Sequence, residues 1–302
     1  MTFLPKGIIP PVITPFKDDG MLNETVLRQV IEFLLKNGVH GIFSMGTTGE
    51  FYALSDNDYQ RILEITVEAV NGRVPVYAGC NDITTRGSIR YVKLAEKAGV
   101  DAISVLTPMF ITQTQSELYD FFKGISENSR LPIVMYDNKP KTNITIAPLT
   151  VAKLAELDNI VGIKDSTGDF TNTLECLRLT KSNENFNVLL GRDTLIHAGL
   201  CHGATGAVAS CANIAPRIIA DIYDKYIAGD KPGSLEAQFN LAPLRIACNM
   251  GTFPAVIKEG MNMLGLPVGK CLEPIAEILP EQKAKLKEIL KNMGLFTEGA
   301  IS

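Results

Sequence analysis

The chain has 302 residues, 46% hydrophobic and 21% charged, which excludes a disordered or collagen-like chain and supplies enough apolar side chains for a sizeable core. A formal net charge of −4, with no basic run, lacks the electrostatic footprint of a nucleic-acid binder. No apolar stretch reaches the roughly 18 residues of a membrane span, and residues 1–6 are too short and too polar for a secretory signal, so the expected location is the cytoplasm and no membrane partner is expected.

Apolar, β-branched runs predict eight strands, at residues 7–14, 41–45, 74–80, 102–107, 131–136, 160–164, 187–191 and 206–210. The stretches between them read as helices. The first, over 23–37, carries Val26, Leu27, Val30, Ile31, Leu34 and Leu35 with a helical period. Ser55-Asp-Asn-Asp58 opens the second with a capping box in which Asp replaces the usual Glu. Asn37-Gly-Val-His-Gly-Ile42 echoes Ala98-Gly-Val-Asp-Ala-Ile103. In each, a helix stops at Gly and a strand follows, the expected C-cap chemistry. Most strands recur at roughly the 30-residue length of a βα unit. Near-continuous apolar strands mark a buried parallel sheet.

Eight such units predict a (β/α)8 TIM barrel. A doubly wound open sheet is the alternative, and no GxGxxG follows the first strand to support it. The barrel is expected over 1–228 as the catalytic domain. Gly229-Asp-Lys-Pro-Gly233 reads as a turn cluster. Residues 229–302 read as a C-terminal helical extension packed on the barrel, with helices near 235–249, 254–264 and 280–292. They carry no chemical motif, so packing and oligomer contacts are their expected role.

A barrel places its active site at the C-terminal strand ends. Strand six ends in Val161-Gly-Ile-Lys-Asp-Ser166. A lysine there is desolvated, which lowers its pKa and suits it to form a Schiff base with a carbonyl; the alternative is pairing with Asp165 or another buried carboxylate. Strand two ends in Gly46-Thr-Thr-Gly-Glu50, whose N–H groups and hydroxyls could cradle a carboxylate or simply form a Gly-rich turn. Tyr136 ends strand five, as a proton carrier or a packed aromatic. Lys139 and Lys141 follow it, and Lys141 could meet an anionic substrate tail or lie solvated on the surface. Gly191-Arg-Asp193 and the Gly203–Ser210 segment could hold phosphate, or line an open mouth with Asp193 and Ser210 for a polyhydroxyl tail.

Three histidines, His40, His197 and His202, form neither HxH nor HExxH, which argues against a His-rich zinc site; His197 and His202 are read as structural. Six cysteines without a CxxC pair read as reduced thiols serving as small hydrophobes. A lysine nucleophile, a carboxylate cradle and a tyrosine at neighbouring strand ends together suit a 2-keto acid.

On Gly46-Thr-Thr-Gly-Glu50, Tyr136, Gly162-Ile-Lys-Asp165 and Gly203-Ala-Thr-Gly206, the chain resembles the pyruvate-dependent class I aldolases that include dihydrodipicolinate synthase and N-acetylneuraminate lyase. The resemblance runs from Gly7 to the C-terminal helices. It implies a barrel with a helical extension, usually a homotetramer. It implies Lys164 as the imine-forming lysine, Tyr136 and Thr48 as its catalytic companions, and Thr47 and Thr48 at the pyruvate carboxylate. Gly191 and Val208 would contribute backbone around the keto acid, and Asp193, Ser166 and Ser210 match positions that touch sugar hydroxyls in the lyase branch. No metal and no external cofactor are implied, because the covalent imine on Lys164 is the electron sink.

The chain departs from the synthase pattern at Met109-Phe110, where the synthases carry a tyrosine pair reaching a neighbouring subunit, and at Lys141, where they carry a carboxylate-binding arginine. Lysine lacks the bidentate fork of arginine. Tyr-Asn-x-Pro is altered to Tyr136-Asp-Asn-Lys-Pro140. The sequence reading therefore favours cleavage of a 2-keto-3-deoxy sugar acid, or a related 4-hydroxy-2-keto acid, to pyruvate and an aldehyde. The alternatives are dihydrodipicolinate synthase, condensing pyruvate with aspartate semialdehyde, a deoxy keto acid dehydratase, and a non-catalytic keto-acid-binding barrel.

Overall fold

Eight parallel strands follow one another around a sheet in the order β1-β8-β7-β6-β5-β4-β3-β2 in the computed structural model, which describes residues 3–295. They are β1 Gly7–Ile8, β2 Ile42–Ser44, β3 Val76–Gly79, β4 Ala102–Leu106, β5 Ile133–Asp137, β6 Ile160–Asp165, β7 Asn187–Leu190 and β8 Gly206–Ala207. The β1–β2 seam closes through a parallel bridge between Pro11 and Phe43, flanked by Phe43 N–H donating to the Pro10 carbonyl at 3.0 Å. The fold is the expected TIM barrel.

One residue from each strand region, Ile9, Phe43, Tyr77, Ala102, Val134, Val161, Leu189 and Val208, packs in the barrel interior. A larger apolar shell lies between the strands and the surrounding helices. The helix Glu24–Lys36 buries the anticipated Val26, Leu27, Val30, Ile31 and Leu34. The Ser55–Asp58 capping box is formed at both hydrogen bonds. Gly38 and Gly99, ending the two echoed helices, both take positive φ, where a Cβ would be strained.

Two expectations are corrected. The first strand, expected over 7–14, is a continuous strand only at Gly7–Ile8 and beyond it keeps a single bridge at Pro11, because Pro10 and Pro11 have no N–H to give. The expected turn 229–233 is largely helical: Asp230 caps the helix Lys231–Ala247 by accepting from Gly233 N–H at 2.9 Å. A proline in the first helical turn loses nothing, since that N–H has no intrahelical partner. The helices Ala255–Met263 and Pro280–Asn292 complete the extension; its last residues, 296–302, and residues 1–2 lie outside the described part of the chain.

Candidate active site

The register pairs Tyr136 with Lys164 across β5 and β6, after a one-residue slip between Ile133 and Val134. Lys164 Nζ lies 3.7 Å from the Tyr136 ring centroid and 5.1 Å from that of Phe43. Burial holds the Lys164 amine below its ordinary value, opposed by Tyr136 and, more weakly, by Asp193. Burial alone would push the Tyr136 phenol up, but the Lys164 ammonium together with the Thr47 and Asn138 side chains outweighs it and holds the phenol below its usual range. The Asn138 amide donates to the Tyr136 hydroxyl at 2.7 Å, supporting the phenolate. Asp165 is not a partner of this lysine. Its carboxylate points to the outside of the barrel and accepts from Thr167 and Thr173.

The Gly46–Glu50 segment turns as a short helical piece, Thr47–Gly49. Leading N–H groups of a helical turn have no internal acceptor, so they remain available to a ligand. Thr47 Oγ1 is buried without a well-aligned hydrogen-bond partner, although the hydroxyl stands close enough to Tyr136 to favour its ionised form. Thr48 is buried and lines the same cavity.

That cavity has a volume of about 460 Å³ and brings together all ten residues of the sequence-derived site: Thr47, Thr48, Tyr136, Lys141, Lys164, Ser166, Gly191, Asp193, Val208 and Ser210. Ser166 Oγ is buried and unpartnered, and a Cβ at Gly191 would stand 1.8 Å from it, so only glycine fits there. The Gly191 and Val208 N–H groups are spent in the sheet, donating to Asp165 and Leu190 carbonyls at 2.7 and 2.8 Å. Asp193 spends its oxygens within the chain, accepting from Ser210 N and Oγ and from Cys211 N at 3.0–3.2 Å. It ties the end of β7 to the end of β8 and engages the Ser210 hydroxyl, so of these two serines only Ser166 keeps an unpartnered hydroxyl.

Other expectations are corrected. The C-terminal extension does more than pack, because Arg245, Cys248, Asn249, Thr252 and Phe253 line the same cavity. Helical periodicity gave no hint of this, since the loop 248–253 carries no motif. Gly203-Ala-Thr-Gly206 leads into β8, at the opposite end from the cavity; there Gly206, the first residue of the strand, lets β8 approach β1, a Cβ meeting the Gly7 carbonyl at 2.2 Å. Arg192 and Asn138 also line the cavity, one position from Gly191 and two from Tyr136, with no motif of their own to mark them. Phe110, at φ 80°, is 89% exposed and outside the cavity of its own chain.

The histidines are structural in place. His40 meets Asp224 at 3.1 Å, His197 Nδ1 meets Ser234 Oγ at 2.8 Å, and His202 Nδ1 meets the Ala198 carbonyl at 2.8 Å. All six cysteines are free, with Cys80, Cys176, Cys211 and Cys248 buried as expected and Cys201 exposed. Among the described residues no helix is long and apolar enough to cross a membrane.

Comparison with known proteins agrees with this geometry. The profile of the dihydrodipicolinate synthetase family matches residues 4–293. A 4-hydroxy-tetrahydrodipicolinate synthase of Methanothrix thermoacetophila is 37% identical, over 97% of this chain and 98% of its own. The dihydrodipicolinate synthase structure from Thermotoga maritima superposes with a TM-score of 0.94 at 30% identity, covering 96% of this chain and 99% of that one. YagE of E. coli K12, a member of the same family solved in complex with pyruvate, superposes with a TM-score of 0.93 at 30% identity, covering 96% and 99%. A non-catalytic barrel is thereby displaced: the chain belongs to the dihydrodipicolinate synthetase family and is a pyruvate-dependent lyase that forms a Schiff base on a lysine.

Proposed function

We propose that the protein condenses pyruvate with an aldehyde carrying its own carboxylate, in the manner of a 4-hydroxy-tetrahydrodipicolinate synthase acting on aspartate semialdehyde. The observation that carries this reading is the charge of the outer cavity. Lys141, Arg192 and Arg245 line it, and among the described residues none of them is ion-paired. The one carboxylate in the lining, Asp193, is already occupied. Unpaired cations facing a cavity favour a ligand with a second negative charge. A 2-keto-3-deoxy sugar acid has one carboxylate, and the cradle at Thr47–Thr48 takes it. The relatives named as synthases support the same choice over the sugar-acid reading.

In this mechanism Lys164 attacks the pyruvate ketone and water leaves. The Tyr136 phenolate takes a methyl proton to give the enamine, with the imine nitrogen as electron sink, so no external cofactor takes part. The enamine carbon adds to the aldehyde, and Tyr136 delivers a proton to the developing alkoxide. The amino group of aspartate semialdehyde then displaces Lys164 and closes the ring. We assign the catalytic hydroxyl beside Tyr136 to Thr47 rather than Thr48, because the Thr47 hydroxyl stands close to the phenol and is buried with no other partner. Thr48 holds the keto-acid carboxylate, and Gly191 and Val208 form the wall beside it.

The sugar-acid reading keeps one supporting observation, the unpartnered Ser166 hydroxyl beside Ser210. Two assays separate the readings: product formation from pyruvate and aspartate semialdehyde, and pyruvate release from a 2-keto-3-deoxy sugar acid. Turnover of the semialdehyde at a rate exceeding sugar-acid cleavage is expected, and brisk cleavage with no semialdehyde turnover would reverse the assignment. Residues 1–228 form the catalytic barrel and the helices from 229 onward its extension in this reading. A homotetramer in the cytoplasm fits the family resemblance and the six free thiols.

A further inference from the structure

Glu50 closes the keto-acid cradle in a backbone conformation that side chains rarely adopt, φ 57° and ψ 37°. Its side chain is fully buried, and so is that of Lys258, on the helix Ala255–Met263 of the extension. Their charged atoms meet at 2.6 Å. The second Glu50 oxygen accepts from Leu272 N–H at 2.8 Å. Lys258 Nζ donates to the Lys270 carbonyl at 2.8 Å and lies 4.1 Å from the Phe16 ring centroid. None of these five residues lines the active-site cavity, so the pair does not touch substrate.

The pair does hold one end of the segment that does. At the other end, Met45 also has positive φ, and its carbonyl accepts from the Asn81 amide at 3.2 Å. Between them the Gly49 carbonyl accepts from Thr14 Oγ1 at 2.7 Å. Two left-handed residues within six positions persist only where surrounding structure holds them. For Glu50 that structure is a buried charge pair, and either partner moved away from the other becomes a buried unpaired charge. Glu50 follows Thr47 and Thr48 by only two to three residues, so whatever fixes Glu50 bears on the segment that carries both threonines.

We infer that Lys258 and Glu50 are positioning residues for the pyruvate site: their ion pair clamps the Gly46–Glu50 cradle to the C-terminal extension and so sets the affinity for the keto-acid carboxylate. The inference rests on the assignment of that cradle to pyruvate, made above. It separates this pair from ordinary buried ion pairs, whose loss affects stability alone.

The test is borohydride trapping of pyruvate on Lys164, read by mass spectrometry as a function of pyruvate concentration, which needs no aldehyde. Glu50→Gln keeps the shape and an acceptor for Leu272 N–H. Glu50→Gln combined with Lys258→Met removes both charges and leaves neither unpaired. Each is expected to raise the half-saturating pyruvate concentration at least tenfold, with trapping at saturating pyruvate retained, and Lys258→Arg, which keeps the charge pair with Glu50, is expected to raise it less. If the double variant does not fold, Glu50→Gln alone carries the comparison. A folded variant, verified by its melting curve, with half-saturation within twofold of the parent would overturn the inference. Absence of trapping in the parent protein would instead overturn the imine assignment beneath it.

Discussion

Lys164 Nζ stands 3.7 Å from the centre of the Tyr136 ring, on adjacent strands and in direct register. Each group changes the proton affinity of the other. The phenol raises the amine against a burial effect that lowers it, and the ammonium lowers the phenol against a burial effect that raises it. An attacking amine must be neutral, and a proton carrier must give up its proton readily, so the pair serves both needs.

This coupling has a definite sign in a pH profile. The acid limb of imine formation is expected below the ordinary lysine value of 10.5. Tyr136→Phe removes a group that raises the amine, so the limb moves to still lower pH. The same variant should lose about 10²–10⁴-fold in condensation rate, the usual contribution of a positioned acid–base group, while trapping of pyruvate persists. A limb that moves upward would show that the phenol does not act on Lys164.

Lys164→Met should abolish trapping and turnover while raising the melting temperature. Burying an amine costs stability, which the thioether does not, and functional sites commonly carry such a cost. A variant that is inactive and also melts markedly lower would mean that the lysine is held by compensating contacts not seen around it.

Gly191→Ala places a methyl 1.8 Å from Ser166 Oγ and 3.0 Å from the Asp165 carbonyl. Forced overpacking costs about 1–3 kcal/mol. Ser166 or the Gly191 backbone beside the keto acid must shift, so pyruvate KM should rise together with a lower melting temperature. Recovery of KM in Gly191→Ala/Ser166→Ala would confirm the clash as the cause.

Arg245→Gln and Arg192→Gln should each raise the KM for aspartate semialdehyde about tenfold, equivalent to about 1.4 kcal/mol, and leave the half-saturation of pyruvate trapping unchanged. Steady-state kinetics with both substrates varied measures this split. An equal change for both substrates would place the arginines elsewhere in the reaction.

Behind the catalytic pair, Asp137 faces Asp165 in the same register, and burial with help from that neighbour pushes its carboxyl up to about 7 from 3.8. Between these values the folded state keeps a proton that the unfolded chain has lost. Stability therefore falls as pH rises through that window, by about 1.4 kcal/mol per unit, and the penalty is complete above it. Asp137→Asn should flatten this dependence and melt higher than the parent at pH 8. Thermal melts across pH 4–8 decide it, and an unchanged slope in the variant would assign the dependence to another group.

Much of the molecule was legible in one dimension because its signals are local. Strands buried on both faces need continuous apolar runs, and a helix end needs a glycine or a cap, so the eight strands, the capping box at Ser55 and the helices of the extension could be read directly. The Lys164, Tyr136 and Gly46–Glu50 elements could be read because a barrel collects its strand ends at one mouth, whatever their spacing in sequence. What tertiary structure alone decided depends on distance between segments far apart in the chain. Only folding brings Arg245 and Phe253 to the cavity wall, carries Gly203–Gly206 to the opposite end, and buries Lys258 against Glu50. Charge follows the same rule: a sequence counts lysines and aspartates, but only their burial and neighbours decide which of Lys164, Asp137 and Asp193 is shifted, strained or already spent.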